Sequence, residues 1–115
     1  MLHFLPCRVL SEDMMMKVSS GKRLTERRVF LFDGLMILCK PNSRRQSSVH
    51  TNHPECRLKE RFFIRKVEIV DLPDTDELRH ALEICPRAQP SITLCAKSTD
   101  DKNSWMADLI MLNNR

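Results

Sequence analysis

Only two glycines occur in the 115 residues, so the chain lacks a glycine-rich loop that could cradle a nucleotide phosphate. No segment offers a recognisable nucleophile and base either, and the expectation is a non-catalytic domain without cofactor or metal. No apolar run approaches the roughly 20 residues that span a bilayer, which leaves only surface contact with a membrane. The opening MLHFLPCRVL reads poorly as a secretory signal: it lacks a basic start, Pro6 and Arg8 interrupt it, and no small-residue cleavage site follows. The five cysteines (Cys7, Cys39, Cys56, Cys85 and Cys95) are odd in number and never spaced C-x-x-C. That pattern fits a reduced, cytoplasmic protein better than a disulfide framework. The basic segments lack interleaved aromatics for base stacking, which argues against a nucleic-acid partner.

What is present is the composition of one soluble globular domain, 42% apolar and 30% charged. Its organising stretch is Arg27 to Lys40, RRVFLFDGLMILCK. Two apolar runs meet at Asp33-Gly34, a dipeptide suited to a type I′ turn because both central positions need positive φ. The stretch therefore predicts a β-hairpin, Val29 to Phe32 and Leu35 to Lys40, with Arg27, Arg28 and Lys40 gathered where its two ends meet.

Around this hairpin the periodicities predict further strands. Met14 to Ser20 has the length of a first strand, followed by the turn signal Ser19-Ser20-Gly21. The polar, proline-bounded segment from Pro41 to Pro54 reads as a long loop. The β-branched and aromatic residues of RLKERFFIRKVEIV, Arg57 to Val70, favour a strand pair bent near Arg65. Leu78 to Cys85 and Ser91 to Lys97 alternate like a second hairpin. Ser98 to Arg115 changes period: Ser98 or Thr99 caps a helix, Asp100 and Asp101 suit its dipole, and Trp105, Leu109 and Leu112 form one stripe. The fold class is mostly β with one C-terminal α-helix, a sandwich or barrel plugged by that helix.

The formal net charge of +4 conceals segregation. Residues 17 to 28 hold Lys17, Lys22, Arg23, Arg27 and Arg28 against Glu26, and Lys40, Arg44 and Arg45 follow nearby. Asp71 to Glu83 holds five acids against Arg79. A basic end of this kind steers toward an anionic partner.

Four stretches, RRVFLFDGLMILCK, RLKERFFIRKVEI, RHALEI and AKSTDDKNSWMADLIML, together resemble the pleckstrin homology (PH) domain of the Son of sevenless family of Ras guanine-nucleotide exchange factors. The resemblance covers Met14 to Arg115 and leaves residues 1 to 13 as a non-matching lead. It implies a seven-stranded, bent antiparallel sandwich capped by the helix, without catalytic activity. It also implies binding to phosphatidylinositol 4,5-bisphosphate and phosphatidic acid, with recruitment to the inner face of the plasma membrane. The partners it implies within a longer polypeptide are a Dbl homology domain and a Ras-exchange region. Ser20 and Leu24 stand where the family carries basic residues, while Arg27 matches one.

The candidate lipid-binding residues are therefore Lys17, Lys22, Arg23, Arg27, Arg28, Lys40, Arg44 and Arg45. Arg grips two phosphate oxygens with its planar fork, and Lys supplies a flexible point charge. Strand alternation sends Arg27 and Arg28 to opposite faces, so one of them faces the ligand. The alternative is a domain that packs on protein neighbours, its basic corner engaging acidic residues of the same polypeptide. His50-x-x-His53-x-x-Cys56 offers only three metal ligands where a structural zinc site needs four. Arg44-Arg45-Gln46-Ser47-Ser48 suits a basic-directed kinase, whose phosphate would cancel charge beside the site. Trp105 reads as core, and so does the Met14-Met15-Met16 run.

Overall fold

Residues from opposite ends of the chain share one core, and that requirement shapes the molecule. The computed structural model describes residues 9–19, 21, 23–41 and 56–114. Seven strands run in the order β1 (Ser11–Ser19), β2 (Arg23–Phe32), β3 (Leu35–Pro41), β4 (Cys56–Phe63), β5 (Val67–Asp71), β6 (Ala81–Pro86) and β7 (Ile92–Cys95), before helix α1 (Thr99–Asn113). They form one antiparallel sheet ordered β4-β3-β2-β1-β7-β6-β5. Met15, Leu31 and Phe62 from one half of the sheet join Leu82, Ile84 and Leu94 from the other in a single buried cluster, with Trp105, Leu109 and Leu112 of α1. The sheet is thus curled over its own core, with the helix closing it. Each fully buried Leu or Phe contributes roughly 1.5–3 kcal/mol relative to exposure.

The central hairpin forms where the sequence places it. Phe32 pairs with Leu35 across a two-residue turn, and β2 and β3 extend beyond the expected limits to Arg23 and Pro41. The turn itself differs from expectation. Gly34 has φ +97° while Asp33 does not reach positive φ, so this is not a type I′ turn: only its second central position is left-handed, as a type II turn requires. The first strand begins at Ser11, three residues before Met14, because Glu12 and Asp13 continue the ladder with Phe30 and Val29.

The predicted bend near Arg65 is a 3-10 turn, Ile64–Lys66. The strands on either side of it do not pair with each other; β4 and β5 lie at opposite ends of the sheet order. The turn is tied down by Ile64 N donating to Gly34 O at 3.0 Å. Asn113 Nδ2 also donates to Ile64 O and Val67 O at 2.7 and 2.8 Å.

β6 starts at Ala81 rather than Leu78. His80 has φ +58°, a left-handed conformation that breaks the extended run. Asp74 Oδ1 accepts from its backbone N at 2.9 Å, its carbonyl accepts from Ala96 N at 2.9 Å, and its ring Nδ1 lies 3.2 Å from Thr99 Oγ1. The expected alternation survives at Leu82 and Ile84, both fully buried.

Ser98 caps α1 by accepting from Asp101 N at 3.1 Å. The apolar stripe is as read, with Met106 added, and it also buries a cation. Lys102 reaches Asp71 Oδ1 at 2.6 Å and donates to Leu72 O at 2.7 Å. Cys85 and Cys95 are free thiols, and burial pushes both up from their ordinary pKa.

Asp13 links β1 to the helix: Lys97 Nζ lies 3.1 Å from Oδ1, Met14 N donates to Oδ1 at 2.8 Å, and Trp105 Nε1 donates to Oδ2 at 3.4 Å. Burial raises its pKa, but the bonds from Lys97, Met14 and Trp105 outweigh it and the net shift is downward from 3.8. A depressed folded-state pKa contributes stability that is present above the unfolded value and lost as pH falls through the folded one. We expect Asp13→Asn to flatten the acid limb of the stability curve below about pH 4, as read by denaturant midpoints across pH.

Candidate functional site

The antiparallel register sets the candidate site. Odd positions of β2, Arg27, Val29 and Leu31, face the core, so Arg27 continues the buried row toward the β1–β2 end of the sheet. It is only 8% exposed. Met15 lies opposite Arg27, and Lys17 lies opposite Thr25. On β4, Glu60 lies opposite Leu38, but the next pair is Leu58 with Cys39. Lys59 is therefore an extra, bulged residue, and a bulge re-aims the side chains beside it.

These elements form an open cleft of about 310 Å³ lined by Thr25, Glu26, Arg27, Lys40, Pro41 and Lys59. Next to the lining residue Arg27, Glu60 sits between two cations, with Lys17 Nζ 2.8 Å from Oε2 and Arg27 Nε 3.9 Å from Oε1. Arg27 Nη1 donates to Glu26 O at 2.9 Å. Arg27 Nε and Glu60 Oε1 are both buried without a hydrogen-bond partner, a costly state; an incoming anion can accept from the Arg27 donor, and water can serve either atom. Lys40 faces Arg57 across the β3–β4 ladder, and like charges in that relation repel. Among the described residues Arg23, Lys40, Arg57 and Lys59 have no ion-pair partner. The cleft is thus a place where cations converge with incomplete compensation.

The residues singled out from sequence do not all meet here. Arg27 and Lys40 line the cleft, and Lys17 does not line it but is linked to Arg27 through the shared Glu60 carboxylate. Arg23 is exposed at the start of β2, opposite Ser19. Arg28 points to the other face, where its Nη1 pairs with Glu12 Oε2 at 2.7 Å. Lys22, Arg44, Arg45, the Ser47-Ser48 pair and the His50 and His53 positions lie outside the described residues. Among the described residues no cluster of His, Cys, Asp and Glu suits a metal. Sequence reading missed Lys59, Arg57 and Glu60, and the alternation in RLKERFF was the only local signal for them.

The curled sheet capped by a C-terminal helix is the fold of PH domains in solved exchange-factor structures. The DH/PH fragment of PDZRHOGEF in complex with human RhoA superposes with a TM-score of 0.69 at 19% identity, over 94% of this chain and 29% of that one. The structure reported for the PH and C1 domains of the Vav1 exchange factor gives 0.65 at 21%, over 92% of this chain and 26% of that one. At that identity the likeness shows the fold alone, and the fold is that of a PH domain. The family model described as SOS1/NGEF-like PH domain matches residues 7–112, and the chain belongs to that family. Protein son of sevenless of Drosophila melanogaster is 50% identical over 105 residues. The Son of sevenless homolog of Caenorhabditis elegans is 26% identical over 95 residues. These matches take in 90% and 79% of this chain but only 7% and 6% of the relatives' lengths.

Proposed function

We propose that this PH domain docks on the inner leaflet of the plasma membrane by binding anionic phospholipid, phosphatidylinositol 4,5-bisphosphate or phosphatidic acid, in the cleft between β2, β3 and β4. The observation that carries the reading is Arg27, a nearly buried guanidinium with an unsatisfied Nε, beside the unpaired Lys40 and Lys59. A phosphomonoester supplies the acceptors that these donors lack, in charge-assisted hydrogen bonds about twice as strong as neutral ones. Each basic residue near an anionic leaflet adds roughly 1 kcal/mol, so binding is reversible and salt-sensitive. No described helix is long and apolar enough to cross a bilayer, which suits peripheral recruitment. In a longer chain of the kind the relatives represent, docking would position a Dbl homology neighbour and a Ras-exchange region and release their restraint. The domain itself acts as a binding module rather than a catalyst.

A second reading draws on the similar structures, several of which are DH/PH fragments: the basic corner packs on a protein neighbour and has little lipid affinity. Vesicle sedimentation separates the two. The first reading expects binding that rises when the bisphosphate lipid is added and falls with salt. Absence of binding to every anionic vesicle favours the second.

A further inference from the structure

A second cleft, of about 520 Å³, opens where the 3-10 turn meets the β6–β7 connection. Its charged lining is Arg61, Arg65, Lys66 and Arg87, and no acidic residue contributes to it. None of these four cations has an ion-pair partner among the described residues. The first cleft, by contrast, contains Glu26, and its Arg27 is paired with Glu60.

The placement follows from the fold. Val67 pairs with Pro86, which brings Arg87 beside Lys66. The turn carrying Arg65 and Lys66 is held at both carbonyl and amide by Asn113 and Gly34. The four charges therefore converge on a fixed scaffold, and their mutual repulsion in the free domain falls when an anion enters. Phe63 stands among them at 60% exposed, a large apolar side chain left mostly uncovered.

We propose that this cleft is a second membrane contact, in which Arg61, Arg65, Lys66 and Arg87 engage phospholipid phosphates while Phe63 enters the boundary between headgroups and acyl chains. The occupant is a bilayer rather than an acidic polypeptide because a bilayer satisfies both features. It sets phosphate charge beside apolar depth, the arrangement that interfacial aromatic and basic residues use. The geometry is also shared with the first cleft. Arg61 and Phe63 are alternate residues of β4 and share one face, and Lys59 of the first cleft lies only two residues before Arg61 on the same strand, at the bulge. Clefts this close along one strand lie within the reach of one extended anionic surface, whereas a soluble headgroup fills one.

The inference rests on docking through the first cleft and is tested so that the two fail separately. Three forms are compared: the unaltered chain, a variant carrying Arg61→Gln, Arg65→Gln, Lys66→Gln and Arg87→Gln, and Phe63→Trp. The probes are phosphatidylcholine vesicles containing phosphatidylserine and phosphatidylinositol 4,5-bisphosphate, and soluble inositol 1,4,5-trisphosphate. The fourfold variant loses vesicle affinity by roughly fivefold per cation removed, keeps its affinity for the soluble headgroup, and unfolds at an unchanged temperature because the replaced groups are exposed and unpaired. The fluorescence that Phe63→Trp adds shifts to the blue on vesicles. Vesicle binding equal to that of the unaltered chain, or no fluorescence shift, overturns the second contact and leaves the first. An unaltered chain that binds neither probe overturns both, and binding to polyglutamate in place of vesicles identifies an acidic protein surface instead.

Discussion

Trp105→Ala removes about 3–5 kcal/mol of folding stability, most of what a domain of this size commonly possesses. The indole is 4% exposed and belongs to the single cluster that joins both halves of the sheet. Its loss leaves a cavity that rigid strands on either side cannot close, and the transfer free energy of the ring is forfeited as well. The Nε1 donor to Asp13, at 3.4 Å, goes with it. The expected readout is a large drop in the urea midpoint with an unchanged m-value, accompanied by loss of every binding activity at once. Retained cooperative unfolding at the normal midpoint, with binding alone abolished, would place Trp105 in a ligand site and contradict its structural role.

The second large effect lies at Arg27. Arg27→Gln is expected to weaken headgroup binding between tenfold and a hundredfold, the range for losing one charge-assisted hydrogen bond to phosphate. Glu60→Gln is expected to act in the opposite direction. The Glu60 carboxylate already draws on Lys17 at 2.8 Å and Arg27 at 3.9 Å, so it competes with an incoming phosphate for the same cations. Neutralising it leaves both cations free to face the ligand. Isothermal titration with inositol 1,4,5-trisphosphate reads both changes, and the double variant reports their coupling. Tighter binding by Glu60→Gln is the distinctive outcome, because a cleft whose charges only solvate a surface shows neither change.

The parts of this molecule legible in its sequence are those fixed by neighbours along the chain. The β2–β3 hairpin follows from two apolar runs and Asp33-Gly34, and α1 follows from Ser98, its acidic first turn and the Trp105, Leu109, Leu112 spacing. The turn type was not legible, since a glycine at the second central position of Asp33-Gly34 serves a type II turn as well as a type I′ turn. His80 was read as an extended residue because its partners Asp74, Ala96 and Thr99 are gathered only by the folded chain. The site divides in the same way. Strand alternation separates Arg27 from Arg28 and is a local property. The arrival of Lys59 and Glu60 beside Lys40 and Arg27 depends on a β3–β4 pairing across residues 42–55 and on a one-residue bulge. Neither leaves a periodic trace in the sequence. Charge segregation was therefore visible by segment, while the pairing that neutralises Arg28 and leaves Lys40 unpaired was not.

Membrane docking through the cleft between β2, β3 and β4 is tested most directly by mapping backbone amide shifts during titration with inositol 1,4,5-trisphosphate. The account predicts saturable shifts concentrated at Lys17, Thr25, Arg27, Lys40 and Lys59, with the midpoint moved to roughly tenfold to a hundredfold higher ligand by Arg27→Gln. Saturable shifts confined to other surfaces, or none at all while anionic vesicles still bind the domain, would contradict it.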